Sequence, residues 1–293
     1  MKLIADGGST KASWCLICPG KEELYFNTEG YNPYYVDSQY IRQSLHRALP
    51  AEVPREAVTE VHFYGAGCEP STEAVIIAAL GALFGSAAVS AGSDLLAAAR
   101  ALLGNEPGFA AILGTGTNTC LYDGAQVTHS IDPLGYMLGD EGSGSYIGKK
   151  LLIAYCREYL PLPLRREFLS VYGLTKENIM ERVYKGPLAN RFCAGFAKFV
   201  KLHLDDAFVY QLAKDAFHDF FRSLVCHYPD YASYTLNCTG SVAFHFEDML
   251  KETAACYGMR TGRIIQDPIR GLAHYYRQQD IFAPSSFPSP PRS

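Results

Sequence analysis

Two glycine-rich turns, each placed between runs typical of β-strands, constrain the fold of this 293-residue chain more than any other feature. The first turn, residues 6–11 (DGGSTK), follows the apolar residues 3–5, and the second turn, residues 114–118 (GTGTN), follows the apolar residues 109–113. Each turn leads into another strand-like run that ends in a tight turn. The pattern occurs twice, and it predicts an α/β protein with mixed sheets in two lobes.

Both turns are rich in groups that bind anions. Glycine accepts a positive φ and carries no side chain, so several backbone N–H groups can converge on one phosphate. Neither turn has the spacing of a P-loop or of the Rossmann motif. An ordinary hairpin turn is the alternative, but the repetition, with Asp6 heading the first copy, favours two halves of a phosphate clamp. The candidate phosphate-binding residues are Gly8, Ser9, Thr10 and Lys11 in the first turn, and Gly114, Thr115, Gly116 and Thr117 in the second.

The length suits two lobes of ordinary size. The break at residues 104–108 (GNEPG) places the lobe boundary there, so we predict one lobe over residues 1–106 and another over 107–270. Residues 271–281 are predicted to form a helix that returns to the first lobe. The Pro/Ser-rich tail, residues 282–293, is predicted to be disordered.

Composition and charge exclude several classes of partner. A net charge of −4 gives no reason to expect nucleic acid, which requires a concentrated basic surface. No signal peptide or membrane-spanning run is visible, so a cytoplasmic protein without a membrane partner is expected. We therefore expect a small-molecule substrate, and the oligomeric state, including a homodimer, stays open.

Four motifs in a fixed order carry a resemblance to a known superfamily. Besides the two turns, they are residues 137–143 (MLGDEGS) and residues 238–242 (CTGSV). Together they resemble the motifs of the actin/sugar kinase/Hsp70 ATPase superfamily, and within it the BadF/BadG/BcrA/BcrD ATPase family that contains kinases of N-acetylglucosamine. The resemblance implies a ribonuclease H-like fold in each lobe, with ATP and Mg²⁺ in a central cleft. It also implies an ATP-dependent kinase that acts on an amino sugar, with N-acetylglucosamine 6-phosphate as the expected product.

The resemblance assigns roles to individual residues. Asp6 would orient Mg²⁺ through water, and Thr239, Gly240 and Ser241 would face the adenosine. Asn32, Asn118 and Asp140 would hydrogen-bond the amino sugar, and Asp94 would be the catalytic base. Phosphoryl transfer needs mainly positioning, a metal ion and a carboxylate that accepts the hydroxyl proton, so these residue types fit the chemistry.

Two of these assignments compete with simpler interpretations. Asp94 follows a short strand at a predicted helix start, where an N-cap residue also belongs. Asn32 precedes Pro33 and would be an ordinary turn residue, except that Tyr31, Tyr34 and Tyr35 flank it and can pack on sugar faces.

Two other functions remain as alternatives. The wider family contains ATP-driven activators of 2-hydroxyacyl-CoA dehydratases, which carry a [4Fe–4S] cluster and need cysteines in Gly-flanked loops. Cys120 lies in a strand pattern, and Cys156, Cys193 and Cys226 lie in helical patterns, which favours the kinase. A non-catalytic sugar sensor would normally carry a DNA-binding segment, and none precedes Asp6.

Overall fold

The structure is a computed structural model that describes residues 1–8 and 11–282. The chain divides into two compact units, the first formed by residues 1–104 with the chain from residue 269 onward, and the second by residues 105–268. Ser9 and Thr10, two of the predicted phosphate-binding residues, lie outside the described residues, as does the predicted tail beyond Phe282.

The first unit contains a five-stranded mixed sheet and three helices within residues 1–104. Its strands are β1 (Lys2–Gly7), β2 (Lys11–Ile17), β3 (Leu24–Glu29), β4 (Glu60–Gly65) and β5 (Ala88–Ser93), and its helices are α1 (Ser38–Ala48), α2 (Glu73–Leu83) and α3 (Asp94–Leu103). The strand order is β3-β2-β1-β4-β5, in which the pairs β1–β2 and β2–β3 are antiparallel while β1–β4 and β4–β5 are parallel.

The second unit repeats this sheet and adds a helical insertion between its third and fourth strands. The strands are β6 (Gly108–Leu113), β7 (Thr117–Tyr122), β8 (Val127–Ser130), β9 (Thr235–Thr239) and β10 (Arg260–Ile265). The helices are α4 (Gly135–Leu138), α5 (Gly144–Cys156), α6 (Leu162–Tyr172), α7 (Lys176–Tyr184), α8 (Ala189–Ala194), α9 (Ala197–Leu202), α10 (Ala207–Ser223), α11 (Ser241–His245) and α12 (Glu247–Cys256).

The two sheets have equivalent connectivity. The strand order of the second sheet is β10-β9-β6-β7-β8. The pairs β6–β7 and β7–β8 are antiparallel, while β6–β9 and β9–β10 are parallel. This is the ribonuclease H-like arrangement, so the predicted α/β fold with two such lobes and mixed sheets is confirmed. In both units a glycine turn joins the first strand to the second, at the end of the sheet where the parallel strands finish.

Alternation along the strands decides which face each helix covers. In β1, Leu3 and Ala5 pack with α1 and α2 in one hydrophobic cluster, whereas Ile4 points to the opposite face, which α3 and the last helix cover. That helix, α13 (Ile269–Phe282), packs on α3, β1 and β2 of the first unit. A Cβ at Gly271 would lie 2.6 Å from the carbonyl oxygen of Ala101, so glycine permits this close helix contact.

The second unit has its own core, in which the aromatic residues Phe168, Phe217 and Phe220 are fully buried with side chains of the sheet. No helix in the described part of the chain is long and apolar enough to cross a bilayer.

Candidate functional site

The second turn is held by hydrogen bonds from residues 140–145. Inside the turn, Gly114 N donates to Gly116 O over 3.0 Å. From the other segment, Gly144 N donates to Gly114 O over 2.8 Å and Ser145 N donates to Thr115 O over 3.0 Å. The first residues of α5 therefore fix the backbone of the turn, which is the preorganisation that an anion site needs.

Thr117 closes the turn from its other side. Its backbone N–H donates to Asp140 Oδ1 over 3.1 Å, and its hydroxyl donates to Glu141 O over 2.7 Å. Thr117 is buried, whereas Gly114, Thr115 and Gly116 are half-buried. Of the four residues predicted to bind phosphate in this turn, Thr117 thus braces the backbone, and the other three remain within reach of a ligand.

Asp140, a predicted sugar ligand, lies directly beside the second turn. It is buried, and its φ of 60° places it in the left-handed region. A Cβ at Gly116 would lie 3.1 Å from both carboxyl oxygens of Asp140, so only glycine fits there without displacement. Burial raises the pKa of Asp140, while the Thr117 N–H and the Lys149 ammonium oppose that rise.

Residues 239–241 reach the same edge of the second sheet. Gly240 has a φ of 117°, and a Cβ on it would lie 2.4 Å from the carbonyl oxygen of Leu113. Thr239, at the end of β9, is only 2% exposed, yet its Oγ1 has no hydrogen-bond partner among the described residues. Ser241 is exposed at the first position of α11. The structure therefore brings the second turn, Asp140 and residues 239–241 together.

The first turn occupies the equivalent place in the first unit. Asp6 is half-buried near the end of β1, in register with Ser13 on β2 and Tyr64 on β4. Gly8 and Lys11 are exposed on either side of the undescribed pair.

A single carboxylate at this turn is compatible with magnesium. Mg²⁺ keeps several waters and is usually bound by one or two carboxylates together with substrate phosphates. Among the described residues there is no group of three or more His, Cys, Asp and Glu that could hold a metal ion. Asp6 therefore fits a metal that arrives with a nucleotide.

Asn32 lies in a tight turn whose hydrogen bonds use its side-chain oxygen. Asn32 Oδ1 accepts from Tyr34 N over 2.9 Å, and a Cβ at Gly67 would lie 2.6 Å from the same oxygen. Tyr34 and Tyr35 are exposed, as packing on a sugar would require. The prediction that Tyr31 packs on a sugar face was wrong. Its side chain points inward from the turn, so its ring is buried in the core and its hydroxyl lies 3.1 Å from Ser44 Oγ.

Asn118 has a similar constraint in the second unit. It lies in β7, half-buried, and its Oδ1 accepts from Thr119 N over 3.0 Å. A backbone N–H can donate only to the oxygen of an amide, so this contact and the one at Asn32 both fix the orientation of the side chain. Neither contact uses the Nδ2 group or the second lone pair of Oδ1.

The helix α3 begins at Asp94, and its N-cap is Ser93. Ser93 Oγ accepts from Leu96 N over 3.2 Å, so the capping interpretation of Asp94 was wrong. Two adjacent residues of capping type had hidden the exact start of the helix. Burial raises the pKa of the half-buried Asp94 carboxyl, and the N–H groups of Leu95 and of Asp94 itself oppose the rise.

Sequence patterns did not identify the loop that contacts Asn32. Gly67, with a φ of 75°, packs on Asn32. Burial raises the pKa of the neighbouring Cys68 thiol, and the charge of the nearby Asp94 carboxylate adds to that rise. This loop follows β4, so it places the Asn32 turn and Asp94 at one edge of the first sheet. Its only sequence signal was the pair of glycines at residues 65 and 67.

The cysteines named for an iron–sulfur cluster lie in regular structure, as predicted from their patterns. Cys120 is buried in β7 and Cys193 is buried in α8. Cys156 ends α5, and Cys226 lies in a single 3₁₀ turn.

Comparison with known proteins shows close similarity to one solved structure. No family model and no curated protein matches the sequence. A Porphyromonas gingivalis protein named Putative N-acetylglucosamine Kinase is 39% identical over 96% of this chain and 100% of its own, with a TM-score of 0.91.

Two more distant structures share the fold. A Chromobacterium violaceum protein, also named Putative N-acetylglucosamine Kinase, is 18% identical over 94% of this chain and 98% of its own, with a TM-score of 0.69. A ROK family glucokinase from Streptomyces griseus, in complex with glucose and AMPPNP, is 13% identical over 94% of this chain and 99% of its own, with a TM-score of 0.54.

Proposed function

This chain belongs to the family of the Porphyromonas gingivalis protein, within the actin-like ATPases, and on that premise we propose that it is an ATP-dependent sugar kinase. The substrate that we propose is N-acetylglucosamine, phosphorylated on its 6-hydroxyl. We also assign the chain to the BadF/BadG/BcrA/BcrD branch, which the order of its four motifs supports.

The observation that supports the ATP site is at the edge of the second sheet, where the buried hydroxyl of Thr239 has no hydrogen-bond partner among the described residues. A buried hydroxyl without a partner is costly, so Thr239 Oγ1 is best explained as a contact for a ligand. Gly240 lies against the carbonyl of Leu113, which brings residues 239–241 to the second turn. In the proposed complex the amides of the second turn bind phosphate oxygens, and residues 239–241 face the adenosine.

The side-chain amides support an acetylated substrate. The oxygens of Asn32 and Asn118 each accept from a backbone N–H group, so the orientation of each amide is fixed and its Nδ2 group can donate to a sugar. A hydroxyl oxygen or an acetamide carbonyl accepts such a bond. The ammonium group of glucosamine has three donors and no lone pair, so it cannot accept a bond from Nδ2.

In the proposed mechanism Asp94 removes the proton of the attacking hydroxyl. The hydroxyl oxygen forms a bond to the γ-phosphorus, the bond to the β-phosphate oxygen breaks, and ADP leaves. Burial raises the pKa of Asp94, which strengthens its carboxylate as a proton acceptor. Asp6 would hold Mg²⁺ through water, and the metal would supply positive charge that offsets the charge of the phosphates.

A coupled ADP-release assay tests the proposal. The panel contains N-acetylglucosamine, N-acetylmannosamine, N-acetylmuramic acid, glucosamine and glucose, each with Mg²⁺ and ATP. We expect the highest kcat/KM with N-acetylglucosamine and far lower values with the two sugars that lack an acetamide. Asp94→Asn, purified identically, controls for a contaminating kinase. Sugar-independent ADP release, or a preference for glucosamine, would contradict the proposal.

A further inference from the structure

The segment that leads to Asp140 has little packing of its own. Residues 133–139 contain α4, a single helical turn in which Met137 is 83% exposed and Leu138 is 79% exposed. Leu134 has a φ of 59°, in the left-handed region that leucine rarely adopts, and Asp140 has a φ of 60°. A backbone of this kind keeps one conformation only when neighbouring elements hold it.

The backbone of Asp140 depends on this segment. Asp140 N donates to Pro133 O over 2.9 Å, and Gly139 N donates to Gly135 O over 2.8 Å. A Cβ at Gly139 would lie 2.0 Å from Pro133 O, so the chain crosses closely over itself here. A displacement of residues 133–139 would therefore move the Asp140 carboxyl as well.

Lys149 of α5 holds the middle of the segment. Its ammonium group donates to Tyr136 O over 2.8 Å and lies 5.3 Å from the ring centroids of both Tyr136 and Tyr146. The two cation–π contacts fix the position of the ammonium group on a half-buried side chain. Cys193 Sγ lies 3.9 Å from the Tyr136 hydroxyl and provides a second, weaker anchor. Lys149 thus connects α5 to the segment that ends at Asp140.

The charge of Lys149 also acts on Asp140. Burial raises the pKa of the Asp140 carboxyl, and the negative charge of Glu141 adds to the rise. The Thr117 N–H and the Lys149 ammonium oppose it. The Lys149 charge therefore favours the ionised carboxylate, which is the form that only accepts hydrogen bonds and so suits two sugar hydroxyls.

The other titratable groups around Lys149 do not replace its charge. Lys150 follows it on α5, but the Lys150 ammonium lies 2.9 Å from Asp219 Oδ2 and pairs with that carboxylate. Asp219 also accepts from the Tyr146 hydroxyl over 3.0 Å. Burial raises the pKa of the Tyr146 phenol and of the Cys193 thiol, so both are neutral near pH 7.

We propose that Lys149 is a positioning residue of the sugar site, which holds residues 133–139 in place and sets a positive charge near the Asp140 carboxylate. This inference rests on the proposed function, because it takes Asp140 as a ligand of the sugar. Lys149 itself does not contact the reacting atoms, and it acts through Asp140.

The pH dependence of sugar binding tests the role of the charge. N-acetylglucosamine carries no group that titrates near neutral pH, so a change of its affinity with pH comes from the protein. Affinity should fall as the pH falls through the pKa of Asp140, and in Lys149→Met this fall should begin at a higher pH. Calorimetric titration should also show binding about tenfold weaker in Lys149→Met at neutral pH, because the anchor of residues 133–139 is lost. A lysine with only a structural role would not move the pH profile.

Two variants of the same helix separate the role of Lys149 from general effects. Lys149→Arg keeps a charged donor and should restore the pH profile and most of the affinity. Lys150→Met removes the adjacent ammonium group, which pairs with Asp219, and should bind the sugar as the wild type does. A wild-type pH profile in Lys149→Met would overturn the inference. So would a profile that is displaced equally in Lys150→Met.

A measurement without sugar keeps this test separate from the proposed function. Carboxyl-carbon NMR titration, with the Asp140 signal identified by its absence in Asp140→Asn, reports the pKa of Asp140 directly. That pKa should rise in Lys149→Met and stay unchanged in Lys150→Met. If the wild type binds none of the sugars in the panel, the proposed function fails, and the NMR titration still decides the effect of Lys149. An unchanged pKa of Asp140 in Lys149→Met overturns the inference in either case.

Discussion

Replacing Thr239 by Val should stabilise the protein and weaken nucleotide binding, two effects that an ordinary buried threonine would not combine. Thr239 Oγ1 has no partner among the described residues and the side chain is 2% exposed, so the folded protein carries the cost of an unsatisfied hydroxyl, about 1–3 kcal/mol. Valine has the same shape, and its methyl group suits the strand β9. We expect a gain of about 1 kcal/mol, which for a unit of this size raises Tm by roughly 2–4 °C.

The nucleotide effect has the opposite sign. If the hydroxyl bonds the nucleoside, its loss should weaken ATP binding about tenfold. Differential scanning calorimetry without ligand and calorimetric titration with AMPPNP measure the two effects on one preparation. Thr119→Val is the matched control, because Thr119 is equally buried but its Oγ1 lies 2.9 Å from the Tyr228 hydroxyl. That variant should lose stability and keep its affinity. A destabilised Thr239→Val protein with unchanged affinity would refute the argument.

Asp94→Asn should lower kcat by about 10²–10⁴-fold with little change in sugar affinity. Ser93→Ala should instead cost about 1 kcal/mol of stability, because the N-cap of α3 is lost. If kinetics and melting curves show the reverse, Ser93 would be the catalytic residue and Asp94 the N-cap. Because burial raises the pKa of Asp94, ionisation of its carboxyl makes the folded state less stable at pH values above the pKa in the unfolded chain. Asp94→Asn should therefore be more stable than wild type at pH 7. The gain should vanish at low pH, where Asp94 is protonated in both the folded and the unfolded protein, and urea unfolding across pH measures it. Gly240→Ala should lose stability and ATP binding together, because the new Cβ would lie 2.4 Å from Leu113 O at a φ of 117°; fluorescence titration showing normal ATP affinity would argue against a site there. Asn32→Ala should weaken sugar binding by about 1–3 kcal/mol, and calorimetry showing normal affinity would remove Asn32 from the site.

Local patterns were enough to predict the repeated sheet. Alternating apolar residues and glycine turns are short-range signals, so both copies of the strand, turn and strand were visible without any knowledge of distant contacts. The role of Thr117 could not be predicted in the same way. Its hydroxyl looks available in the sequence, but it is bonded to the carbonyl of Glu141, 24 positions away.

Neighbouring residues of similar chemistry set another limit. Ser93 and Asp94 are both good N-cap residues, and a shift of one position in the helix start decides which of them is free for chemistry. Tyr31 and Tyr34 likewise look equivalent beside Asn32, but the first is buried and the second is exposed because the chain turns sharply between them. Such differences depend on backbone direction, which composition does not reveal.

The position of α13 has a consequence for biosynthesis. The second unit is one continuous stretch, residues 105–268, whereas the first needs α13 from beyond that stretch. Leu272 is fully buried and Gly271 packs on the backbone of Ala101, so residues 1–104 alone leave part of their core open to water. During synthesis the second unit can thus fold before the first unit is complete, because α13 is made last. A nascent chain halted at residue 268 should hold a protease-resistant second unit beside a first unit that proteases and chaperones still recognise.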